Sequence, residues 1–401
     1  MALRILYVGL LPPHEGGASL SSCEILAGLA ARGHTVHAVA PITPAMTARE
    51  AAFTRAWPGI SAVRYPVREI SSTPDEPDPE WYRAAQTGHL DRLLPSAIRR
   101  HRPDAILIGR ESFAPYVADV ARASGIPVVQ RLAGAGTNGL LGGRVPEPLA
   151  SQIRAALRQA QARVSPGREL ALAAERLDIG DVLLIRTGVN LDRFQPREKD
   201  PALLRELDIT RESVVVAHMS NLKALKRPLE LVRAAAQTVA GEERLVFLVV
   251  GDGALRGAME AASREAGIAR HFRFVGWRSY DEMPRYFNLA DMVAMPSESE
   301  GLARAYLETQ ACGRVLIASD IAPAREVVRH GETGLLFPAE DHGRLSDLIL
   351  MAARDPAVRR AIGARARRQA ETRSVADMVA GYEAVLTDVA EGRVPVAVTL
   401  A

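Results

Sequence analysis

Short apolar runs rich in β-branched residues alternate with helical patterns along the chain, and this alternation restricts the fold more than any other feature. Such runs are typical of buried strands, and the patterns between them predict helices that connect the strands. Parallel strands joined by crossover helices give an α/β fold. The predicted strands lie at residues 3–8, 35–40, 105–108 and 127–130 in the first half, and at 213–218, 245–250, 272–275, 292–295 and 315–318 in the second half.

The length of 401 residues predicts two domains. Residues 187–210 carry Pro196, Pro201 and a charge cluster, and we interpret them as the interdomain linker. We therefore expect a first domain at residues 1–190 and a second at 191–373. A last helix, with Ser374 as its N-cap, has an apolar face that must pack either on the second domain or back on the first. The second arrangement would add residues 374–401 to the first domain.

The charge balance argues against a nucleic-acid-binding protein. The chain has 50 basic and 47 acidic residues, for a net charge of +3, whereas nucleic-acid binders usually concentrate basic residues on one face. A small excess of this kind is compatible with an anionic ligand, and with peripheral contact at a membrane surface.

The positions of the cysteines and the shortness of the apolar runs predict a cytoplasmic protein. Cys23 and Cys312 fall in apolar helical patterns, which argues against a disulfide framework. The first apolar run stops at Pro12 and is too short for a signal peptide, and no stretch reaches the roughly 18 apolar residues of a membrane span.

A loop and helix follow the predicted strand at 292–295, and two glutamates bracket them. The segment Glu300–Glu308 reads EGLARAYLE, and we expect its helix to begin near Leu302. The backbone N–H groups of Leu302, Ala303 and Arg304 would then lie at the carboxyl edge of the sheet, where α/β proteins bind ligands and helix N-termini bind phosphate. Spacing alone favours the alternative, in which Glu300 is a surface turn residue and Glu308 an exposed helix charge.

A basic loop follows the strand at 213–218. Lys223, Lys226 and Arg227 supply positive charge for a diphosphate, and Pro228 suits the first turn of a helix. The alternative is a solvated basic loop without a ligand.

Two further turns follow predicted strands of the second half. Gly251, in the run Val249–Gly253, allows a ligand to approach the backbone closely, although the turn lacks the dinucleotide fingerprint G-x-G-x-x-G. Trp277 and Arg278 follow the next strand, where a turn beside an aromatic ring can hold a nucleobase. The alternatives are an ordinary βα turn and a tryptophan that belongs to the core or to a lid.

Together these segments resemble glycosyltransferase family 4. The resemblance covers nearly the whole chain and is strongest between Gly188 and Pro338. As a set the motifs are highly specific, although no single one is. They comprise Pro296–Glu300, Glu308–Gly313, Ala318–Asp320, Glu326–Val328, Gly331–Pro338, the phrase Gly188–Pro196, and Gly16-Gly17 before a helix that ends at Arg32-Gly33-His34.

The resemblance implies a GT-B fold: two Rossmann-like α/β domains with parallel sheets facing across a cleft, and a C-terminal helix that returns to the N-terminal domain. It implies retaining transfer of a sugar from a nucleotide-diphosphate donor to a hydroxyl acceptor, with no cofactor or bound metal. The first domain would bind the acceptor and the second the donor. The protein would be a monomer or a homodimer.

The resemblance also implies residue roles. Lys226 would contact the donor phosphates, Glu300 the transferred sugar and Glu308 the ribose, while the backbone near Trp277 would hold the base and Gly17 would lie under the phosphate. The expected donor-binding residues are Gly17, Asn221, Lys223, Lys226, Arg227, Gly251, Trp277, Arg278, Glu300, Gly301, Leu302, Ala303, Arg304 and Glu308.

Two positions depart from the family pattern. Many relatives have arginine where this chain has Asn221, and Lys223 or Arg227 would replace that charge. Many relatives also have a cleft histidine near the place of Arg131. Arginine cannot shuttle a proton at neutral pH, so Arg131 would act as a binding or electrostatic residue of the catalytic site, with Glu300 and Lys226; its alternative is a structural ion pair.

The acceptor cannot be identified from the sequence. His14, Arg110 and Arg144 are the candidate acceptor-binding residues. The alternative for His14 is an exposed loop histidine, and Arg110 with Glu111 either faces the acceptor or pairs on the surface. Arg131 and Arg144 favour an anionic acceptor, and the glycine-rich run Gly134–Gly143 predicts a mobile or closely approached loop.

The donor is best interpreted as a UDP-sugar, with UDP-N-acetylglucosamine favoured by a phrase similar to bacterial N-acetylglucosaminyl-malate synthases, His218–Leu222 with Lys226-Arg227. Three alternatives stay open: a nucleotide-sugar epimerase of the same fold, a phosphorylase-like enzyme, and a non-catalytic protein that binds nucleotide sugars.

Overall fold

The computed structural model describes residues 1–12, 16–43, 47, 50, 53, 56–67 and 79–395. These residues divide into two units. The first holds the described residues up to Thr187 and those from Val375 onward, and the second holds Gly188–Ser374.

Seven described strands form the parallel sheet of the first unit, in the order β3-β2-β1-β4-β5-β6-β7. The order reverses between β1 and β4, so the loops after these two strands flank the point where α/β sheets bind ligands. The strands are β1 (Arg4–Val8), β2 (Thr35–Ile42), β3 (Ile60–Pro66), β4 (Ala105–Ile108), β5 (Val128–Arg131), β6 (Ala162–Ser165) and β7 (Leu183–Leu184).

Helices cover this sheet and bury its apolar strands. Strands such as β4, with the sequence AILI, are buried along their whole length, as expected of a parallel sheet with both faces covered. The helices are α1 (Gly17–Ala31), α2 (Pro79–His101), α3 (Ala114–Ser124), α4 (Gly134–Leu141), α5 (Leu149–Gln159) and α6 (Arg168–Glu175), with a 3₁₀ turn at Glu111–Phe113.

Six described strands form the parallel sheet of the second unit, in the order β10-β9-β8-β11-β12-β13. Its switch point lies between β8 and β11. The strands are β8 (Val214–Met219), β9 (Leu245–Val250), β10 (Phe272–Gly276), β11 (Met292–Met295), β12 (Val315–Ser319) and β13 (Leu335–Phe337). The helices are α7 (Pro201–Glu206), α8 (Pro228–Thr238), α9 (Arg256–Glu265), α10 (Met283–Leu289), α11 (Arg304–Ala311), α12 (Ala322–Arg325), α13 (His342–Arg354) and α14 (Pro356–Ala370), with 3₁₀ turns at Ala224–Lys226 and Ala269–His271.

The helix α15 (Val375–Ala390) belongs to the first unit, where its apolar face packs on α1. The approach is close: a Cβ atom on Gly28 would lie 2.4 Å from Cγ2 of Val379. Two polar contacts fix the same pair of segments, since Arg32 Nη1 donates to Glu383 at 2.7 Å and His34 Nε2 lies 2.8 Å from the other oxygen of that carboxylate. His34 Nδ1 accepts from the Leu3 N–H, so Nε2 is the donor to Glu383.

The predicted α/β class with two parallel sheets is confirmed, as is the return of the C-terminal helix to the first unit. The predictions missed strands β3, β6, β7 and β13. The segment interpreted as a linker is largely part of the second unit, because Val189, Phe194 and Leu203 are buried in its core.

The prediction of a glycine-rich loop at Gly134–Gly143 was wrong, because residues 134–141 form the helix α4. The Pro- and acid-rich composition of residues 71–79 predicts a loop; residues 71–78 lie outside the described residues, and Pro79 begins α2. None of the described helices is both long enough and apolar enough to span a lipid bilayer.

Candidate functional site

The loops after β8 and β11 meet at the switch point of the second sheet. The two strands are hydrogen-bonded neighbours, and beyond their ends the Glu298 N–H donates to the Leu225 carbonyl at 2.9 Å. This contact holds the basic loop at residues 220–227 against the acidic loop at 296–303. Residues that are about 75 positions apart in the chain thus face each other at the usual ligand position of an α/β sheet.

Lys226 and Glu300 form an ion pair between these loops. Lys226 Nζ donates to Glu300 Oε2, and the Ser297 hydroxyl donates to Glu300 Oε1 at 2.8 Å. The side chains are 21% and 6% exposed, so the pair is largely shielded from water. The interpretation of Glu300 as a surface turn residue is therefore wrong.

His218, at the end of β8, lies beside this pair and was not predicted as a site residue. The side chain is fully buried; Nδ1 lies 2.9 Å from the Ala294 carbonyl and Nε2 lies 2.7 Å from the Ser220 hydroxyl. Burial lowers the pKa of His218 to about 4, and the Lys226 ammonium also lowers it, against the hydrogen bond to Ala294. The imidazole is therefore neutral at physiological pH, with Nδ1–H donating to Ala294 and Nε2 accepting from Ser220.

The helix α11 begins at Arg304, with Ala303 as its N-cap, and not near Leu302 as predicted. The backbone N–H groups of its first turn therefore start at Arg304, and Gly301 and Leu302 lie in the preceding loop. The reason is local: Ala303 adopts an extended conformation, with φ of −67° and ψ of 120°.

Glu308 lies inside α11 and is 6% exposed, so the interpretation as an exposed helix charge is wrong. Its carboxylate pairs with Arg304 Nη2 at 3.2 Å, one helical turn earlier. Arg304 Nη2 also donates to the Tyr280 hydroxyl at 3.0 Å, and its guanidinium lies 5.5 Å from the Tyr280 ring centre. Arg304 and Tyr280 thus restrict the orientation of Glu308.

Glycines after β9 allow its turn to pack on the basic loop. Gly251 has φ of +128°, and a Cβ atom there would lie 1.9 Å from the Ser220 carbonyl oxygen. Gly253 has φ of +156° and contacts the backbone of Leu222 in the same way. The close approach predicted for Gly251 is therefore made by the protein's own backbone.

Trp277 and Arg278 follow β10. The Trp277 side chain is 41% exposed, which excludes it from the core. Arg278 Nε donates to the Tyr286 hydroxyl at 2.6 Å, and its Nη1 donates to the Trp277 carbonyl at 3.0 Å. The exposed indole lies directly beyond the carboxyl end of β10.

The other polar residues of the basic loop differ in their contacts and in their exposure to solvent. Arg227 has its Nη1 3.0 Å from the Ala339 carbonyl and lies 3.4 Å from Glu298 and 3.6 Å from Glu340, so it is occupied within the protein. Lys223 is exposed. Asn221 Oδ1 is buried and accepts no hydrogen bond from the described residues.

In the first unit, Arg131 lies at the end of β5 and is 5% exposed. Its Nη1 donates to the Ala18 carbonyl at 3.1 Å and to the Ser22 hydroxyl at 3.3 Å, both on α1. The Arg131 charge also opposes the rise in the pKa of Tyr382 that burial causes. These partners are uncharged, so the alternative of a structural ion pair finds no support within the described part of the chain.

Arg131 connects to the start of α1, where Gly17 is the first helical residue. Gly16 precedes it with φ of +116°, a conformation that favours glycine. The Tyr7 hydroxyl lies 2.9 Å from the Ser22 hydroxyl and 3.0 Å from the Leu10 carbonyl. Leu10, after β1, and Ser22, on α1, are therefore linked through the Tyr7 hydroxyl, and Ser22 also contacts Arg131.

The structure describes two of the three candidate acceptor residues. Arg110 is half-buried and precedes the 3₁₀ turn, Arg144 is exposed after α4, and His14 lies outside the described residues. Glu111, which was expected to face an acceptor or pair on the surface, is buried and does neither. It accepts from the Ala133 N–H at 2.8 Å and the Thr137 hydroxyl at 2.6 Å, and so caps α4.

Among the described residues no cluster of three or more histidine, cysteine, aspartate or glutamate side chains has the arrangement of a metal site. Cys23 and Cys312 are free and buried.

Two family models match the chain. Residues 16–188 match the model described as "Glycosyl transferase 4-like domain", and residues 200–369 match "Glycosyl transferases group 1". The two matched segments cover most of the first unit and of the second.

Two curated relatives illustrate the sequence similarity. A D-inositol 3-phosphate glycosyltransferase of Actinosynnema mirum is 31% identical over 198 residues, which is 47% of this chain and 47% of the relative. A GDP-mannose-dependent monoacylated alpha-(1-6)-phosphatidylinositol monomannoside mannosyltransferase of Corynebacterium glutamicum is 31% identical over 194 residues, 46% of this chain and 50% of the relative. The chain thus spans about half the length of the curated relatives it matches.

The fold is similar to that of Anabaena HepE in complex with UDP-glucose, with a TM-score of 0.75 and 19% identity over 96% of this chain and 100% of HepE. At that identity the likeness establishes the fold alone. The two family models, the two parallel sheets and the motifs of the second unit agree, and the chain belongs to glycosyltransferase family 4, with the GT-B type of fold.

Proposed function

We propose that the protein transfers a sugar from a nucleotide-diphosphate donor to a hydroxyl acceptor, with retention of configuration. The second unit binds the donor and the first binds the acceptor. The observation that carries the proposal is the meeting of Lys226 and Glu300 at the switch point of the second sheet, next to the N-terminus of α11.

The donor would lie along the carboxyl edge of this sheet. Lys226 and the first N–H groups of α11 attract the diphosphate, since a helix N-terminus carries partial positive charge. Glu300 accepts hydrogen bonds from the sugar hydroxyls, and Glu308, oriented by Arg304, accepts them from the ribose. The exposed face of Trp277 supports the base.

The reaction breaks the bond between the anomeric carbon and the diphosphate oxygen. Lys226 and the α11 N-terminus stabilise the charge that develops on the leaving oxygen. The acceptor hydroxyl attacks from the face that the diphosphate leaves, and its proton passes to the departing phosphate oxygen. The step needs no protein base and no metal ion.

UDP-N-acetylglucosamine is the donor to test first. HepE, whose fold is similar, was solved with UDP-glucose, while the Corynebacterium relative is named for GDP-mannose, so guanosine donors belong in the same screen. For the acceptor, the name of the Actinosynnema relative favours D-inositol 3-phosphate, an anionic polyol, which agrees with the exposed Arg144 in the first unit.

The test begins with thermal unfolding of the wild type and of Glu308→Ala in the presence of UDP, GDP, ADP and their common sugars. A ligand at about 100 times its dissociation constant stabilises the folded state by roughly 2.7 kcal/mol. One nucleotide should raise the melting temperature of the wild type and not of Glu308→Ala. Glu332→Ala is the control, since Glu332 is 62% exposed on the same unit and should keep the shift.

Transfer is then measured with the donor that binds. NMR of the product should show that the anomeric configuration is retained when an acceptor is added. Conversion of the donor without an acceptor would favour an epimerase, and tight binding without turnover on any acceptor would favour a non-catalytic binding protein.

A further inference from the structure

The Lys226–Glu300 pair occupies both groups that the proposed donor needs. One carboxylate oxygen is held by the lysine and the other by Ser297, so the pair is internally satisfied. Both side chains are mostly buried, which strengthens their attraction relative to a pair in bulk water.

If the diphosphate binds at Lys226, as in the proposed function, it disturbs the ion pair between Lys226 and Glu300. The phosphate oxygens need the Lys226 ammonium, and they bring negative charge next to the Glu300 carboxylate. Two like charges in a shielded site repel each other, so Glu300 must give up its cation or the diphosphate binds weakly.

A bound sugar compensates Glu300 for that loss. Sugar hydroxyls donate hydrogen bonds to an ionised carboxylate, and such charge-assisted bonds are stronger than neutral ones. Free nucleoside diphosphate lacks the transferred sugar, so it displaces Glu300 from Lys226 and offers that carboxylate no hydroxyl in return.

We propose that Glu300 determines selectivity for the glycosylated donor over free nucleoside diphosphate, because its carboxylate competes with the diphosphate for Lys226. The inference rests on the proposed function of the same site. It makes the product of transfer a weaker ligand than the donor, since the carboxylate returns to Lys226 when the sugar has left.

Two other described side chains near this site, those of Glu298 and His218, form no ion pair with Lys226. Glu298 is exposed, and its ion pair within the described part of the chain is with Arg227, at 3.4 Å. The His218 imidazole, whose pKa is lowered mainly by burial, carries no charge at physiological pH. Glu298 therefore provides a matched control: it lies two residues away on the same loop and carries the same charge.

The experiment is isothermal titration of UDP and UDP-N-acetylglucosamine, with GDP and GDP-mannose in parallel, into the wild type, Glu300→Gln and Glu298→Gln. Glutamine keeps the shape and the acceptor for Ser297 but removes the charge. We expect Glu300→Gln to bind the free diphosphate on the order of tenfold more tightly, as close charge pairs couple at binding sites. The sugar nucleotide should gain less or lose affinity, and Glu298→Gln should change either affinity less than about twofold.

A double-mutant cycle with Lys226→Met tests whether the competition runs through the lysine. Without that cation, Glu300→Gln should no longer tighten the diphosphate, so the two changes should be strongly non-additive. Melting temperatures of the four proteins check that each is folded.

The outcomes separate the inference from the proposed function. If the wild type binds a nucleotide but Glu300→Gln leaves the affinity for free diphosphate unchanged or weaker, or if Glu298→Gln tightens it as much, the inference is wrong and the donor site stands. If the wild type binds none of the nucleotides, including ADP and its sugars, the proposed donor site fails, and the inference with it.

Discussion

At the scale of single residues, His218 makes stability depend on pH. Its pKa of about 4 in the folded protein lies below the value of about 6.5 for an unfolded chain. Below pH 6.5 the unfolded state therefore takes up the proton first, and the folded state loses up to about 3 kcal/mol by pH 4, below which the loss levels off. We expect His218→Asn to lose less stability than the wild type between pH 7 and 4.5, measured by urea unfolding.

A control for this prediction removes a different imidazole from the same unit. His330 is exposed and outside the His218 network, so His330→Asn keeps the contribution of His218 to the pH profile. Parallel profiles for the wild type and His218→Asn would contradict the assignment of a buried neutral histidine.

The backbone at Gly251 provides a second residue-scale prediction. Gly251→Ala combines a left-handed φ of +128° with a Cβ atom 1.9 Å from the Ser220 carbonyl, so the turn after β9 must separate from the basic loop. We expect a loss of about 2–3 kcal/mol in unfolding free energy, with weaker nucleotide binding. Gly257→Ala is the matched control, because that glycine is helical with open space around it and should gain about 0.5–1 kcal/mol. Equal effects of the two changes would refute the packing argument.

At the scale of helices and strands, Glu111 explains why a glycine-rich segment forms α4. Burial raises the pKa of Glu111 above its ordinary value, against the hydrogen bonds from Thr137 and Ala133. A raised carboxyl pKa in the fold means that the folded state gains stability as pH falls toward the unfolded value of about 4.3. Glu111→Gln stays neutral and lacks this gain. Its unfolding free energy should therefore decrease relative to that of the wild type as pH is lowered from 8 to 5 in denaturant titrations; a pH-independent difference would show that Glu111 does not titrate in the fold.

The packing of α15 on α1 can be tested by exchanging volume across the contact. Gly28→Ala places a methyl group 2.4 Å from a Val379 methyl carbon and should cost about 1–3 kcal/mol. Val379→Ala alone leaves a small cavity and also destabilises. Combined, the two changes should be less destabilising than their sum, as measured by chemical unfolding. Strict additivity would mean that the two side chains do not share this space.

Elements that the sequence did not reveal have weak local signals. The strand β3 alternates buried and exposed residues at the edge of its sheet, and β13 has only three residues, so neither resembles a continuous apolar run. The helix α4 contains three glycines, and its cap, Glu111, lies 23 positions before its first residue. Long-range contacts of this kind cannot be read from local propensity.

At the scale of the whole molecule, the chain passes from the first unit to the second at 187–188 and returns at 374–375. The first unit therefore depends on α15, which buries Met378, Val379, Tyr382, Val385, Leu386 and Val389. Their burial contributes on the order of 10 kcal/mol, comparable with the whole stability of a domain. A chain ending at Ser374 should lose hydrogen-exchange protection in β1 and β4 while β8 and β9 remain protected.

The control for this truncation ends at Pro395 and keeps α15, so its first unit should remain protected. Retained protection of β1 and β4 in the shorter chain would show that the first unit is complete without the helix.

The candidate site was predictable in part for the same topological reason. Lys226 and Glu300 follow strands whose carboxyl ends lie on one edge of the sheet, so the sequence could indicate that both are near a ligand. It could not show that they bind each other, or that His218 and Ser297 complete the cluster, because these contacts depend on how two loops distant in the chain pack together.

The order in which a ribosome makes the chain gives α15 a further consequence. About 200 residues separate Thr187 from the end of α15, which takes roughly 10–40 s to synthesise at 5–20 residues per second. During that interval the second unit is synthesised, and the apolar face of α1 still lacks its partner. The half of the protein that is made first is therefore the half that finishes folding last, and it is the one whose unpaired surface chaperones would have to protect.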